Sequence, residues 1–364
     1  MNHSSNELTM DSLYECLKSA NKYGYEVVYF WVSGVALVSV GFLGLIGNIF
    51  NLIVLSRKRF RKRVFYNLLI ELTCFDILVI LSYGIHVSYQ SMACQDRYNL
   101  NVSHITYQIL NICLSGSIYS TVAISIERYI GICHPQTKYG RTTWIYIVSV
   151  MFVAFSYNFP RLFEYQYKIV NGTLVAPSAP WAEKETYKDR YHDLSEILVE
   201  NAIPMALLCV TNGAIIRTMY GICQKQHLDM ETKSRQNRAT STRTLLMIVA
   251  VFMISHIPCI TFKMLYYLGC RECTEEEEAE YRSQWYFIYP IKRLTLMTNS
   301  SVNVIIYCVV GTKYRNELMK LLGSKKATVM DRPDHSSTAA LTKALGYSIR
   351  LIQFKLTDKR FQSF

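Results

Sequence analysis

Long apolar blocks alternate with short polar ones along most of the chain. Positions 29–55, 66–89, 105–126, 144–163, 197–222, 244–268 and 286–310 are each apolar over enough residues to cross about 30 Å of hydrocarbon as a helix. The pattern predicts an all-α membrane protein, a bundle of seven transmembrane helices. The third block carries Ser115, Gly116, Ser117 and Ser120, small residues that suit a helix surrounded by other helices. The fifth holds Glu200 and Asn201, which suit a helix lining a cavity. The chain divides into an N-terminal segment at 1–27, a seven-span domain at 28–310, an amphipathic eighth helix at 311–323 and a polar tail at 324–364, expected to be mostly disordered.

Charge then orients the bundle. The net charge of +12 would allow a nucleic-acid partner, but its distribution argues against one. Arg57, Lys58, Arg59, Arg61, Lys62 and Arg63 fill the first connection, Lys138 and Arg141 the third, and Lys225, Lys233, Arg235, Arg238 and Arg243 the fifth. The tail adds more, while the intervening connections and the N-terminus are neutral or acidic. This positive-inside pattern puts the N-terminus outside and the C-terminus in the cytoplasm of a multi-pass plasma-membrane protein. The basic connections suit anionic membrane lipids as well as an acidic protein partner. The first 26 residues show no signal peptide, so the first span is expected to serve as its own insertion signal. Sequons at Asn2, Asn101 and Asn171 fall on segments assigned outside.

The polar residues inside the apolar blocks are the candidates for function. A charge at the bilayer centre costs about 2.5–3.5 kcal/mol, so it needs a partner or water. Asp76 lies among apolar neighbours in the second span, and Asn48, Ser117, Asn299, Ser300 and Asn303 could converge on it with water or a small cation; no cofactor is expected, and a sodium ion is the one cation that could sit there. Glu127, Arg128 and Tyr129 arrive together where the third helix leaves the hydrocarbon. They read either as a surface ion pair capping a helix or as a pair available to a partner.

In order along 28–323 come Gly47-Asn48 in span one, Leu-Thr-Cys-Phe-Asp ending at Asp76, Glu-Arg-Tyr at 127–129 with the following His134-Pro135, Pro204, Phe252 with Pro258, and Asn-Val-Ile-Ile-Tyr at 303–307. Together they resemble the rhodopsin-like (class A) G-protein-coupled receptors. The stretches YNFPRLFE at 157–164 and NSSVNVIIY at 299–307, with Asn212 in span five, are similar to the invertebrate FMRFamide-receptor-like branch. The resemblance implies an extracellular peptide ligand, amidated and ending in Arg-Phe, and a heterotrimeric G protein met by Arg128. Asn303 and Tyr307 would carry the switch from the Asp76 cluster. Ser324, Thr328, Ser336, Ser337, Thr338 and Thr342 make the tail a candidate phosphorylation and arrestin site. The alternative within receptors is a divergent chemosensory receptor for an environmental small molecule.

The departures carry expectations of their own. Ser103 stands where the family's bridging Cys is expected, and no Cys occurs between Cys133 and Cys209. Cys16, Cys94, Cys270 and Cys273 are the disulfide candidates, with three connectivities open. His256 replaces the usual Trp of span six and Val304 the usual Pro of span seven. Arg238 or a neighbour replaces the span-six acid that holds the span-three Arg in the family. The latch is therefore weakened, and raised basal signalling is expected.

At the outer mouth, Glu272, Glu275, Glu276, Glu277, Glu278 and Glu280 form a loop that is either simply solvated or steers a cationic ligand. Glu196 and Glu200 share one helix face and would meet either a ligand arginine or polar groups of neighbouring helices. The other pocket candidates are His86, Gln90, Tyr107, Asn111, His256, Tyr266, Tyr289 and Arg293. Lys263 and Lys292, with Arg293, add positive charge near the same mouth. The chain lacks HExxH, GxSxG, a phosphate loop and zinc-spaced cysteines, so an enzyme is not expected. Met297 at the retinal-lysine position argues against a light sensor.

Overall fold

The computed structural model describes residues 30–92, 97–134, 142–165, 168–170, 173–175, 179–181, 194–225, 233–269 and 288–321. Six helices there are long and apolar enough to cross a membrane: span one Trp31–Leu55, span two Val64–His86, span three Ile105–Cys133, span four Thr143–Phe163, span five Glu196–Gly221 and span six Thr240–Thr261. Span seven is a bent pair, Pro290–Ser301 and Asn303–Val310, at 42° to each other. Large apolar side chains such as Phe42, Trp144, Phe152, Val210 and Ile254 point outward, whereas Asn48, Asp76, Ser117 and Ser125 are buried. Water would reverse that arrangement; hydrocarbon demands it.

Span three is the axis of the bundle, with 72% of its apolar window buried against 22% for span four. Its small residues are the reason. Gly116 leaves room for the Phe75 ring, which a Cβ there would overlap. Phe75, Ala123 and Val150 then close a cluster between spans two, three and four. A second cluster joins Leu37, Val79, Ile80, Tyr83, Leu110 and Met297 from spans one, two, three and seven. Span one reaches span seven across Gly44 and Gly47, where a Cβ would overlap Ser301 and Val304.

Three features depart from a plain reading of the blocks. The helix containing span three begins at Arg97, because no Gly or Pro interrupts it before Gly116; Asn101 of the second sequon therefore lies on that helix. A short hairpin follows span four, with β1 (Lys168–Val170) antiparallel to β2 (Thr173–Val175) in the register Ile169↔Leu174. Span five opens as a π-helix, Glu196–Ala202, before the α-helix Ile203–Lys225. Pro204 explains the change of winding: it has no N–H to give the carbonyl four residues back, at Glu200, and its ring crowds that carbonyl.

Span seven bends without a proline. Val302 interrupts it, Ile305 and Ile306 both donate to the Val302 carbonyl at 2.9 and 3.2 Å, and Asn303 turns to Asp76. Span seven is followed by the amphipathic helix Thr312–Leu321, in which Lys320 pairs with Glu317 at 3.1 Å.

Candidate receptor site and switch

Asp76 sits at the centre of the bundle, fully buried. Ser117 Oγ donates to its Oδ1 at 2.8 Å and Asn303 Nδ2 to its Oδ2 at 2.7 Å, joining spans two, three and seven. Ser300 Oγ lies beside the same carboxylate without reaching hydrogen-bond geometry. Asn48 belongs to the neighbouring layer: its Nδ2 donates to the Ser300 carbonyl at 2.8 Å and to the Gly44 carbonyl at 3.0 Å. Asn299 is only half-buried, and no hydrogen bond among the described residues brings it into this cluster. Five of the six residues expected here are thus adjacent, and Asn299 stands apart because it lies four residues before Asn303, on the far side of the bend.

A second polar centre lies toward the end of the bundle opposite the basic connections. Arg161, from the short 3-10 turn Pro160–Phe163, is buried there. Its Nη1 is 3.9 Å from Glu200 Oε1 and its Nη2 is 4.0 Å from Glu196 Oε2. The same nitrogen donates to Tyr157 Oη at 3.2 Å, and the guanidinium lies 5.2 Å from the Tyr157 ring centroid. Ser115 Oγ donates to Glu200 at 3.0 Å and Asn158 Nδ2 to Ser115 at 2.9 Å. Glu196 also faces Lys292 of span seven at 3.9 Å. Arg161 and Glu200 are sealed, but Glu196 and Lys292 keep 14% and 16% of their side-chain surface open. At 3.9–4.0 Å these ion pairs are longer than direct hydrogen bonds.

Glu164 extends this centre to the connection that follows span four. Gln108 Nε2 of span three donates to its carboxylate at 3.3 Å, and its own carbonyl accepts the Ala179 amide at 2.7 Å. β2 runs beside the same helix of span three. Gln108 and β2 therefore tie the connection after span four to span three.

Of the other expected pocket residues, His86 is buried and its ring lies 5.4 Å from Tyr107 and 6.4 Å from Tyr83. Arg293 reaches over the Tyr83 ring at 5.7 Å. Asn111 is buried, and its Nδ2 makes no hydrogen bond among the described residues. His256 lies deeper: it stacks on Phe252 at 4.0 Å and its Nδ1 faces Asn201 Oδ1 at 3.2 Å, linking spans five and six. The side chains of Gln90, Tyr266 and Tyr289, the cysteines Cys16, Cys94, Cys270 and Cys273, the sequons at Asn2 and Asn171, and the acidic loop lie outside the described residues, as do the side chains of Lys263, Asn101 and Arg238.

At the basic end, Arg128 Nε faces Glu127 Oε2 at 3.1 Å, and the guanidinium carbon lies 3.8 Å from the Phe65 ring centroid. Tyr129 Oη pairs with His134 Nε2 at 3.1 Å. Tyr307 is buried one turn beyond Asn303. Asn212 Nδ2 donates to Ser125 Oγ at 2.7 Å, locking span five to span three one turn from Arg128.

The ion pair at the end of span three, the buried carboxylate of span two and the bent seventh span all lie within one stretch of chain that a family model covers. Residues 47–307 match the 7 transmembrane receptor (rhodopsin family). The chain belongs to that family. This receptor is 29% identical over 326 residues to the FMRFamide receptor of Drosophila melanogaster, covering 84% of this chain and 56% of that protein. It is 24% identical over 331 residues to the FMRFamide peptide receptor frpr-18 of Caenorhabditis elegans, covering 86% and 74%. The neuromedin-K receptor of Mus musculus is 25% identical over 282 residues, covering 72% and 57%. The chain thus spans little more than half the length of the Drosophila receptor.

The sequence reading gave Arg161 no role beyond its motif. The signal was present: an arginine and a glutamate three apart at the end of an apolar block, with two glutamates at the start of the next. Four charges entering the membrane boundary together must balance one another.

Proposed function

We propose that this receptor binds an extracellular neuropeptide, an amidated FMRFamide-like peptide, and signals through heterotrimeric G proteins. The carrying observation is the charge centre at the end of the bundle opposite the basic connections, in which Glu196 is partly open and faces both Arg161 and Lys292. An incoming guanidinium competes for that carboxylate, and an amide terminus spares Lys292 and Arg293 from binding a ligand carboxylate instead. The names of the Drosophila and Caenorhabditis relatives support the same ligand class.

In this reading the Glu196 end faces outside and the basic connections face the cytoplasm, with anionic lipid and the G protein beside them. The agonist binds the open form better and shifts the population toward it. Repacking of His256 against Phe252 and Asn201 moves span six, and Arg128 is released to the G protein. Asp76, Ser117 and Ser300 offer oxygen ligands that suit a hard cation such as sodium, and the uncommitted Ser300 hydroxyl is the feature that favours it. A phosphorylated tail would recruit arrestin.

The test is binding of a fluorescent amidated Arg-Phe peptide to the full-length receptor, with the free-acid peptide and a Lys-for-Arg peptide as competitors. The amidated arginine peptide should compete at least about tenfold better than either, a difference of about 1.4 kcal/mol. Equal competition by all three would overturn the reading, and small-molecule cues would then be screened for a chemosensory role.

A further inference from the structure

Span six offers Arg128 no counter-charge. The helix Lys233–Gly269 contains neither Asp nor Glu over its whole length. Asn212 of span five turns its amide to Ser125 and to the Leu208 carbonyl, at 2.7 and 2.8 Å. On the side of span two, however, the guanidinium lies flat against an aromatic face. Its Cζ is 3.8 Å from the centroid of Phe65, well inside the roughly 6 Å reach of a cation–π attraction, which strengthens as water is excluded. Phe65 is 1% exposed.

The ring is itself braced. Phe65 meets Tyr66 edge to face at 5.3 Å, and Tyr66 meets Phe60 in the same way at 4.8 Å. Phe60 is the apolar residue in the middle of the basic connection, buried between Arg59 and Arg61. Its amide donates to the Arg57 carbonyl at 2.9 Å. Asn67 Nδ2 then fastens the connection by donating to the Arg61 carbonyl at 3.2 Å and to Thr143 of span four at 3.3 Å. The buried phenylalanine anchors the connection of six cations against Tyr66, the ring that in turn meets Phe65.

We infer that Phe65 is the positioning residue that holds Arg128 in the resting receptor, taking the part of an acid on span six. Glu127 neutralises the guanidinium and Phe65 fixes its plane. The Phe60–Tyr66 stack ties this hold to the first basic connection, so a partner that lifts that connection loosens Arg128. The lost acid on its own would leave basal signalling high; the Phe65 face keeps it low. The inference rests on the reading of Arg128 as the G-protein-coupling residue.

Two measurements on the full-length receptor test it. The first is nucleotide exchange without ligand, over a panel of G proteins at matched surface expression. Phe65→Leu should raise the basal rate about threefold to tenfold. Replacing Phe65 with mono-, di- and trifluorinated phenylalanine, which keeps the shape and drains the π face, should raise it stepwise. With a G protein that responds to the receptor, a flat series means that Phe65 only fills space, and the inference fails. The second is a double-mutant cycle on the melting temperature of the purified receptor, with Phe65→Leu, Arg128→Gln and the pair. It does not depend on any G protein. The double variant should melt close to the worse single variant; additive losses overturn the inference. If no G protein in the panel responds to any variant while the cycle shows coupling, the contact between Phe65 and Arg128 stands and it is the coupling reading that fails.

Discussion

Arg161 and Glu200 face each other across spans four and five, 3.9 Å from Nη1 to Oε1, with both side chains sealed from solvent. Removing one member of such a pair strands the other charge. Arg161→Met should therefore destabilise the receptor by about 3–5 kcal/mol. Arg161→Lys should recover only part of this, because a point ammonium cannot reach Tyr157, Glu196 and Glu200 together. Thermal unfolding of the purified receptor reads both. A melting temperature unchanged by Arg161→Met would remove the charge centre from the account.

Close helix approach at Gly116 gives a second expectation. Gly116→Val should drive the Phe75 ring from its seat and cost about 1–3 kcal/mol, seen as lost surface expression. Gly213→Ala, where no side chain or neighbouring backbone comes within 4 Å of a new Cβ, should be neutral or slightly stabilising in the same assay.

His256 and Asn201 connect the two helices whose relative motion the mechanism requires. His256→Phe keeps the stack on Phe252 but leaves Asn201 Oδ1 without its donor, at a cost of about 1–3 kcal/mol. Agonist efficacy should change more than agonist affinity, measured as maximal response against the binding constant. An unchanged response would show that the pair is merely structural.

The seven-helix fold was legible because hydrocarbon allows few ways of satisfying a backbone, so block length alone predicts a span. The Asp76 cluster was legible for a related reason: a buried carboxylate demands donors, and Ser117 and Asn303 supply them. The π-wound start of span five and the proline-free bend at Val302 were not read from the sequence. The first follows from Pro204, whose missing N–H and ring disturb the turn before it; the second depends on where Asp76 draws Asn303, which no local pattern encodes. Arg161 was passed over for the opposite reason. The reading of Glu196 and Glu200 left open a ligand arginine or a neighbouring helix, and the structure fills that place with the protein's own arginine. Phe65 carried no signal at all, since it stands between the basic run ending at Arg63 and the apolar block at 66–89, where one aromatic residue looks like any other.

A sodium ion at Asp76 would oppose the open form. Agonist affinity should then fall severalfold as sodium replaces choline at constant ionic strength, and Asp76→Asn should abolish that dependence. Equal sensitivity in the variant would exclude a cation at this carboxylate.

The most direct test of the central claim is G-protein activation in cells expressing this chain, screened with amidated Arg-Phe peptides and with Arg128→Ala as the control. The wild type should give a peptide-dependent response that Arg128→Ala loses while still reaching the surface and binding peptide. Silence toward every such peptide, from a receptor shown to be at the surface, would contradict it.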